Sequence, residues 1–157
     1  MRRSALAAVL FLSTAHAAAA VPWLQSPAVS KDRVAFVYGG DLWTVGREGG
    51  EARRLTTGEG LEIDPAFSPD GTWIAFSGES HGNFDVYLVP AAGGVPRRLT
   101  WHPAIDRVTG WTPDGKVLFR SPRNTTGDTR QLFILPVTGG LPREVPLPKA
   151  EQGSFSP

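Results

Sequence analysis

Asp64-Pro65-Ala66-Phe67-Ser68-Pro69-Asp70-Gly71-Thr72-Trp73-Ile74-Ala75-Phe76 is the stretch that decides the fold. Within it Ser68-Pro69-Asp70-Gly71 has the residues of a tight turn. Proline presets φ at the first turn position, aspartate suits the next, and glycine takes the left-handed conformation that closes a hairpin. Asp70 is therefore first a turn residue, and its carboxylate needs no catalytic explanation. The run Trp73-Ile74-Ala75-Phe76 after it is apolar at every position, whereas a strand with one wet face carries a polar residue at every second position. The same holds for Val86-Tyr87-Leu88-Val89. Both faces of such a sheet must be covered by other elements.

The stretch recurs. Phe67-Ser68-Pro69-Asp70-Gly71 returns 44 residues later as Trp111-Thr112-Pro113-Asp114-Gly115, and Phe155-Ser156-Pro157 opens a third copy after another 44. Asp41-Leu42-Trp43 returns as Asp85-Val86-Tyr87, and 46 residues further on as Gln131-Leu132-Phe133. Gly49-Gly50, Gly93-Gly94 and Gly139-Gly140 follow each of these. Then come Arg53-Arg54-Leu55-Thr56, Arg97-Arg98-Leu99-Thr100 and a weaker Arg143-Glu144-Val145-Pro146. Each repeat thus reads as four short strands joined by turns. Four-stranded meanders of this length, stacked face to face, are the signature of a β-propeller. The expected fold is all-β, an incomplete propeller of about three four-stranded antiparallel blades at 27–57, 64–100 and 108–146, with the start of a fourth at 154. The first blade has a turn two residues shorter than its successors. Because the sequence stops at Ser156-Pro157, where the repeat calls for Asp-Gly and a strand, the chain is expected to be a piece of a longer protein.

Composition narrows the partners. Sixteen Lys and Arg against fifteen Asp and Glu leave a net charge of +1 and no basic block, which excludes a phosphate-tracking nucleic-acid binder. The absence of cysteine excludes disulfides, thiolate metal sites and a cysteine nucleophile. At the N-terminus, Arg2 and Arg3 precede an apolar run from Ala5 to Leu12 and then Ala15-His16-Ala17 and Ala18 to Ala20. Residues 1–20 have the form of a signal peptide cleaved after Ala17 or Ala20. The run is far shorter than the ~20 residues that cross a bilayer, so no membrane span is expected after cleavage. The mature protein, 21–157, is expected to be periplasmic or secreted.

Four places carry candidate chemistry. Gly78-Glu79-Ser80-His81-Gly82 matches the nucleophile elbow G-x-S-x-G, but the elbow needs a helix after it and here another strand follows. It reads as a hairpin loop, and adjacent side chains in an extended loop diverge, so Ser80 and His81 are not expected to form a nucleophile and base pair. His102 sits in a connection between blades beside Trp101 and Pro103, with no convergent ligands around it. Arg53, Arg54, Arg97 and Arg98 read as the charged face of an edge strand that resists aggregation, rather than as an anion site. Asn124-Thr125-Thr126 is formally a glycosylation sequon. No catalytic, cofactor-binding or metal residue is assigned, and no cofactor is called for.

The pattern from Asp64 to Phe76, with Asp85-Val86-Tyr87 and Gly93-Gly94 through Thr100, resembles the TolB-type propeller blade over the whole mature chain. The start Pro22-Trp23-Leu24-Gln25-Ser26-Pro27, with Asp41-Leu42-Trp43-Thr44-Val45 and Gly49-Gly50 through Thr57, is similar to bacterial tricorn-type serine proteases. That resemblance implies a six-bladed propeller, a seven-bladed one, and a PDZ domain flanked by catalytic domains with a serine nucleophile and histidine base. None of those catalytic residues falls on this sequence. It further implies that the propeller gates or channels peptide substrates, with peptides or proteins as partners and a homo-oligomeric parent. The leader departs from cytosolic archaeal members, which puts a proteasome partnership in doubt. Two alternatives carry the same blades: a TolB-like periplasmic binding propeller without catalysis, and the propeller of a prolyl-oligopeptidase-like enzyme. True TolB proteins place a small α/β domain before the first blade, and only a few residues intervene here.

Overall fold

Residues 23–125, 129–147 and 152–153 are described by a computed structural model. Their strands form three four-stranded antiparallel sheets, each a simple meander. The first holds β1 (Gln25–Val29), β2 (Arg33–Tyr38), β3 (Asp41–Gly46) and β4 (Arg53–Arg54). The second holds β5 (Glu62–Phe67), β6 (Trp73–Ser80), β7 (Asn83–Pro90) and β8 (Arg97–Arg98). The third holds β9 (Arg107–Trp111), β10 (Val117–Ser121), β11 (Gln131–Leu135) and β12 (Arg143–Glu144). The fold is a partial β-propeller. The leader at 1–20 and the blade opening at 154 lie outside the described residues.

The turn that opens each second strand is built by a hydroxyl. The Ser68 Oγ accepts from the Trp73 amide at 3.0 Å and donates to Asp70 Oδ1 at 2.5 Å, with Gly71 at φ +72° behind it. These bonds hold the Asp70 carboxyl below its usual range, Ser68 contributing most. Thr112 plays the same part in the third sheet, and Ser30 in the first. The spans differ: the hydroxyl reaches the amide three residues on in the first sheet, five in the second and four in the third. The first turn is thus two residues shorter than the second, as its sequence indicates. The third is one residue shorter than the second, so the first falls short of the third by one and not by two as expected; the 44-residue spacing of the landmarks before the turn does not show this. After that slip Phe36, Phe76 and Phe119 become equivalent, each paired across the hairpin with an aromatic residue: Trp43, Tyr87 and Phe133. Phe76 stacks on Tyr87 and Phe119 on Phe133, both at 5.5 Å between centroids.

The apolar runs cover one another as their double-sided pattern requires. Ile74, Phe76, Val89 and Ala91 of the second sheet pack on Ala35, Leu42 and Leu55 of the first. Its opposite face, Ala75, Val86, Leu88 and Leu99, packs on Val117, Phe119, Phe133 and Leu135 of the third. Successive side chains along β6 thus serve two different cores. The third sheet turns Leu118, Leu132 and Ile134 outward, with Val145 against them.

The repeated Arg-Arg-Leu-Thr resolves into four separate jobs. Arg98 pairs with Asp85 at 2.6 Å, and Leu99 enters the core. The Thr100 hydroxyl accepts from the Val86 amide at 2.9 Å. Arg97 crosses to the next sheet, donating to the carbonyls of Val137 and Thr138. The first sheet repeats the set: Arg54 with Asp41 at 2.5 Å, Thr56 with the Leu42 amide at 2.8 Å, and Arg53 with the Ala92 carbonyl at 2.8 Å. β4 and β8 are the outermost strands of their sheets, and their arginines are in addition tied within and between sheets. The third sheet replaces the ion pair and the hydroxyl together, with Gln131, Glu144 and Pro146 where the second has Asp85, Arg98 and Thr100.

Candidate functional site

The inner strands β1, β5 and β9 neighbour one another and line a single groove of about 720 Å³. Each carries a β-bulge at the same place. Ser26-Pro27 lies opposite Phe36, and Asp64-Pro65 opposite Phe76. In β9 the register slips by one residue, Thr109, at Phe119. A bulge leaves residues unpaired and re-aims them, and proline tolerates that position because it has no N–H to offer the ladder. Ser26 and Asp64 take positive φ there, +49° and +54°, a conformation that non-glycine residues seldom adopt. All three bulges line the groove.

The groove wall is chemically quiet. Asp64 is tied across the sheet boundary to Arg107 Nε at 2.6 Å, with both side chains about 30% exposed. The Ser77 hydroxyl donates to Asp64 at 3.3 Å and accepts from the Val108 amide at 2.8 Å. The Thr109 hydroxyl donates to the Leu118 carbonyl at 3.3 Å. Arg107 also lies over the Phe84 ring at 5.1 Å. These groups join blades and present small polar and proline surface; none pairs a nucleophile with a base.

Ser80 and His81 fall elsewhere, at the tip of the β6–β7 hairpin. Their side chains meet: Ser80 Oγ and His81 Nδ1 are 2.9 Å apart. This corrects the expectation that they diverge. His81 takes φ +54° and Gly82 φ +80°, so the tip is a tight turn rather than an extended loop, and it folds the imidazole back over the serine. A strand follows, as the hairpin reading requires, and no described hydrogen bond orients the ring through its other nitrogen. His102 accepts the Ala104 amide on Nδ1 at 3.0 Å, a local turn bond. Asn124 of the sequon donates to Glu144 at 2.8 Å, while Thr126 lies outside the described residues. Among the described residues no group of three or more His, Cys, Asp or Glu could hold a metal, and no helix is long and apolar enough to cross a membrane.

Two carboxyls stand at the blade joints. Asp85 has a fully buried side chain, and burial pushes its pKa up against the lowering effect of Arg98. Burial also raises Glu62, opposed by a 2.7 Å bond from the Thr56 hydroxyl.

Three meander sheets joined face to face around one groove define an incomplete propeller of the TolB and tricorn kind. The chain belongs to the family described as the tricorn protease N-terminal beta propeller domain, which matches residues 22–157. It is 34% identical over 130 residues to tricorn protease homolog 1 of Streptomyces coelicolor, covering 82% of this chain and 12% of that protein. The crystal structure of the tricorn protease superposes with a TM-score of 0.66 at 25% identity, over 76% of this chain and 13% of that one. TolB from Acinetobacter baumannii gives a TM-score of 0.65 at 23% identity, over 81% of this chain and 33% of that one, which speaks for the fold alone. The chain thus spans about an eighth of the length of these tricorn relatives.

Proposed function

We propose that this chain is the N-terminal propeller segment of a secreted tricorn-like serine protease and gates or channels peptide substrates. The carrying observation is the inner groove, where three equivalent bulges from three sheets line one continuous wall with no nucleophile and base among them. Such a wall guides a chain without cutting it. The residues that cleave peptide bonds then belong to other parts of the parent protein, a serine peptidase and homo-oligomer on this reading. The leader-like residues 1–20 support export to the periplasm or beyond.

The test for gating is Thr109→Trp in the full-length protein, which narrows the groove at a bulge. Hydrolysis of a long peptide should slow several-fold, while a short chromogenic substrate is cleaved at an unchanged rate. Equal effects on both substrates would reject gating, and a full-length protein without peptidase activity would favour a binding propeller instead. Export is tested separately: N-terminal sequencing of the exported protein should start at Ala18 or Val21.

A further inference from the structure

We propose that the cavity at the joint of the first and second sheets, over the Phe76–Tyr87 ring pair and beside Glu62, binds the guanidinium of an arginine side chain brought by a separate polypeptide. At the next joint the corresponding place is filled by Arg123 of this chain. The site shares no lining residue with the inner groove.

The joint of the second and third sheets shows the filled form. Arg123 lies over both members of the stacked pair Phe119–Phe133, 5.1 Å and 5.2 Å from the ring centroids. Its Nη2 donates to the fully buried Asp106 at 2.5 Å, and its Nε to the Ser121 hydroxyl at 3.2 Å. Only 11% of the arginine side chain is exposed.

One joint earlier the frame is the same and the arginine is replaced. Phe76 and Tyr87 correspond to Phe119 and Phe133 and stack at the same 5.5 Å. Glu62 corresponds to Asp106: its amide bonds the Gly40 carbonyl just before Asp41, as the Asp106 amide bonds the Phe84 carbonyl just before Asp85. Four residues after the phenylalanine, where the third sheet has Arg123, the second has Ser80, and Gly78 stands in the place of Ser121. The cavity lies there, lined by Glu62, Phe76, Gly78, Ser80 and Tyr87 among others. Its volume, about 930 Å³, falls within the range of ligand pockets, roughly 300–1,000 Å³.

Charge specifies the occupant. The second joint sets two buried carboxylates, Asp85 and Asp106, against two arginines, Arg98 and Arg123. The first joint sets Asp41 and Glu62, also buried, against Arg54, and no Lys or Arg is among the described residues that line the cavity. Glu59 and Glu79 add to its acidic lining. Asp41 Oδ1 is buried without a hydrogen-bond partner. Burial raises the Glu62 carboxyl, and the nearby Asp41 adds to the effect. A carboxylate under these conditions gains from a cation close by, and the face of a ring pair attracts one. A guanidinium suits the place better than an ammonium, because it is planar, stacks on aromatic faces and is weakly hydrated.

Calorimetric titration of the full-length protein with Nα-acetyl-arginine methylamide tests this, with the citrulline counterpart as a control of the same shape without the charge. The arginine compound should bind about tenfold more tightly than the citrulline one. Glu62→Gln should weaken its binding about tenfold. Ser80→Arg supplies the chain's own guanidinium, as in the third sheet, and should abolish binding. Far-UV circular dichroism confirms that each variant is folded; should Ser80→Arg not fold, Glu62→Gln decides. Equal affinity for the two compounds, affinity for neither, or binding indifferent to Glu62→Gln would overturn the proposal. Either result leaves the gating test at the groove as it stands.

Discussion

Removing Arg98 tests whether the buried aspartate at the start of β7 is an asset or a liability. The Asp85 side chain is fully buried while that of Arg98 is 27% exposed, so Arg98→Ala strands a carboxylate that water cannot reach. Truncating one partner of a buried ion pair costs about 3–5 kcal/mol. Because Arg98 is partly solvated and Thr100 still donates to Asp85 at 3.2 Å, the low end, about 3 kcal/mol, is expected. For a domain of this size that lowers Tm by roughly 10 °C. The third sheet suggests how the loss is repaired, since Gln131 and Glu144 replace aspartate and arginine together. Asp85→Asn combined with Arg98→Ala should therefore recover more than half of the loss. The assay is urea unfolding followed by tryptophan fluorescence for the wild type, both single variants and the double. A coupling energy below about 0.5 kcal/mol would refute the reasoning, since additive sites show no more than this.

Stability should rise as pH falls from neutral toward the ordinary carboxylate range. Glu62 and Asp85, both raised by burial, there take up protons that the unfolded chain does not yet bind, and Glu62→Gln should flatten the rise. Below that range stability should fall again, because the lowered carboxyls of Asp70 and Asp114 lose their turn bonds on protonation; Tm against pH reads both limbs. Gly60→Ala should be among the most damaging single changes, more than about 2 kcal/mol by thermal unfolding, since its Cβ would lie 2.1 Å from the Glu79 carbonyl oxygen, a backbone atom. Ser26→Gly should raise stability by up to about 1 kcal/mol by relieving the positive φ, provided that relief exceeds the added chain entropy.

The repeat, the four-strand order and the double-sided cores were legible because Pro-Asp-Gly, Gly-Gly and unbroken apolar runs act locally. The slip in the third sheet was not. One residue fewer after Gly115 leaves the 44-residue spacing of the Pro-Asp-Gly landmarks intact and is outweighed in the 46-residue spacing of the later ones by a longer second loop, so the pairing of Phe119 with Phe133 is what reveals it. The arginines' bonds to the next sheet are not legible in sequence because their partners are distant: Arg97 reaches a carbonyl about 40 residues away. A signal was nevertheless present in the joint change of Asp85, Arg98 and Thr100 to Gln131, Glu144 and Pro146. The Ser80–His81 contact depends on a left-handed histidine, which is uncommon though less so for His than for most residues.

The groove wall and the cores turn out to be one construction. Turn spans vary among the three sheets, yet each inner strand bulges opposite the same phenylalanine, and those of the second and third sheets stack on the next strand's aromatic ring. The bulge thus keeps its place opposite the phenylalanine although the hydroxyl-to-amide span of the preceding turn is three, five and four residues, so the difference in turn length is taken up between the turn and the bulge. If the groove gates peptides as proposed, Thr109→Trp tests its lining, and a change at buried Phe76 or Phe119, each opposite a bulge, tests whether packing behind the wall matters as well.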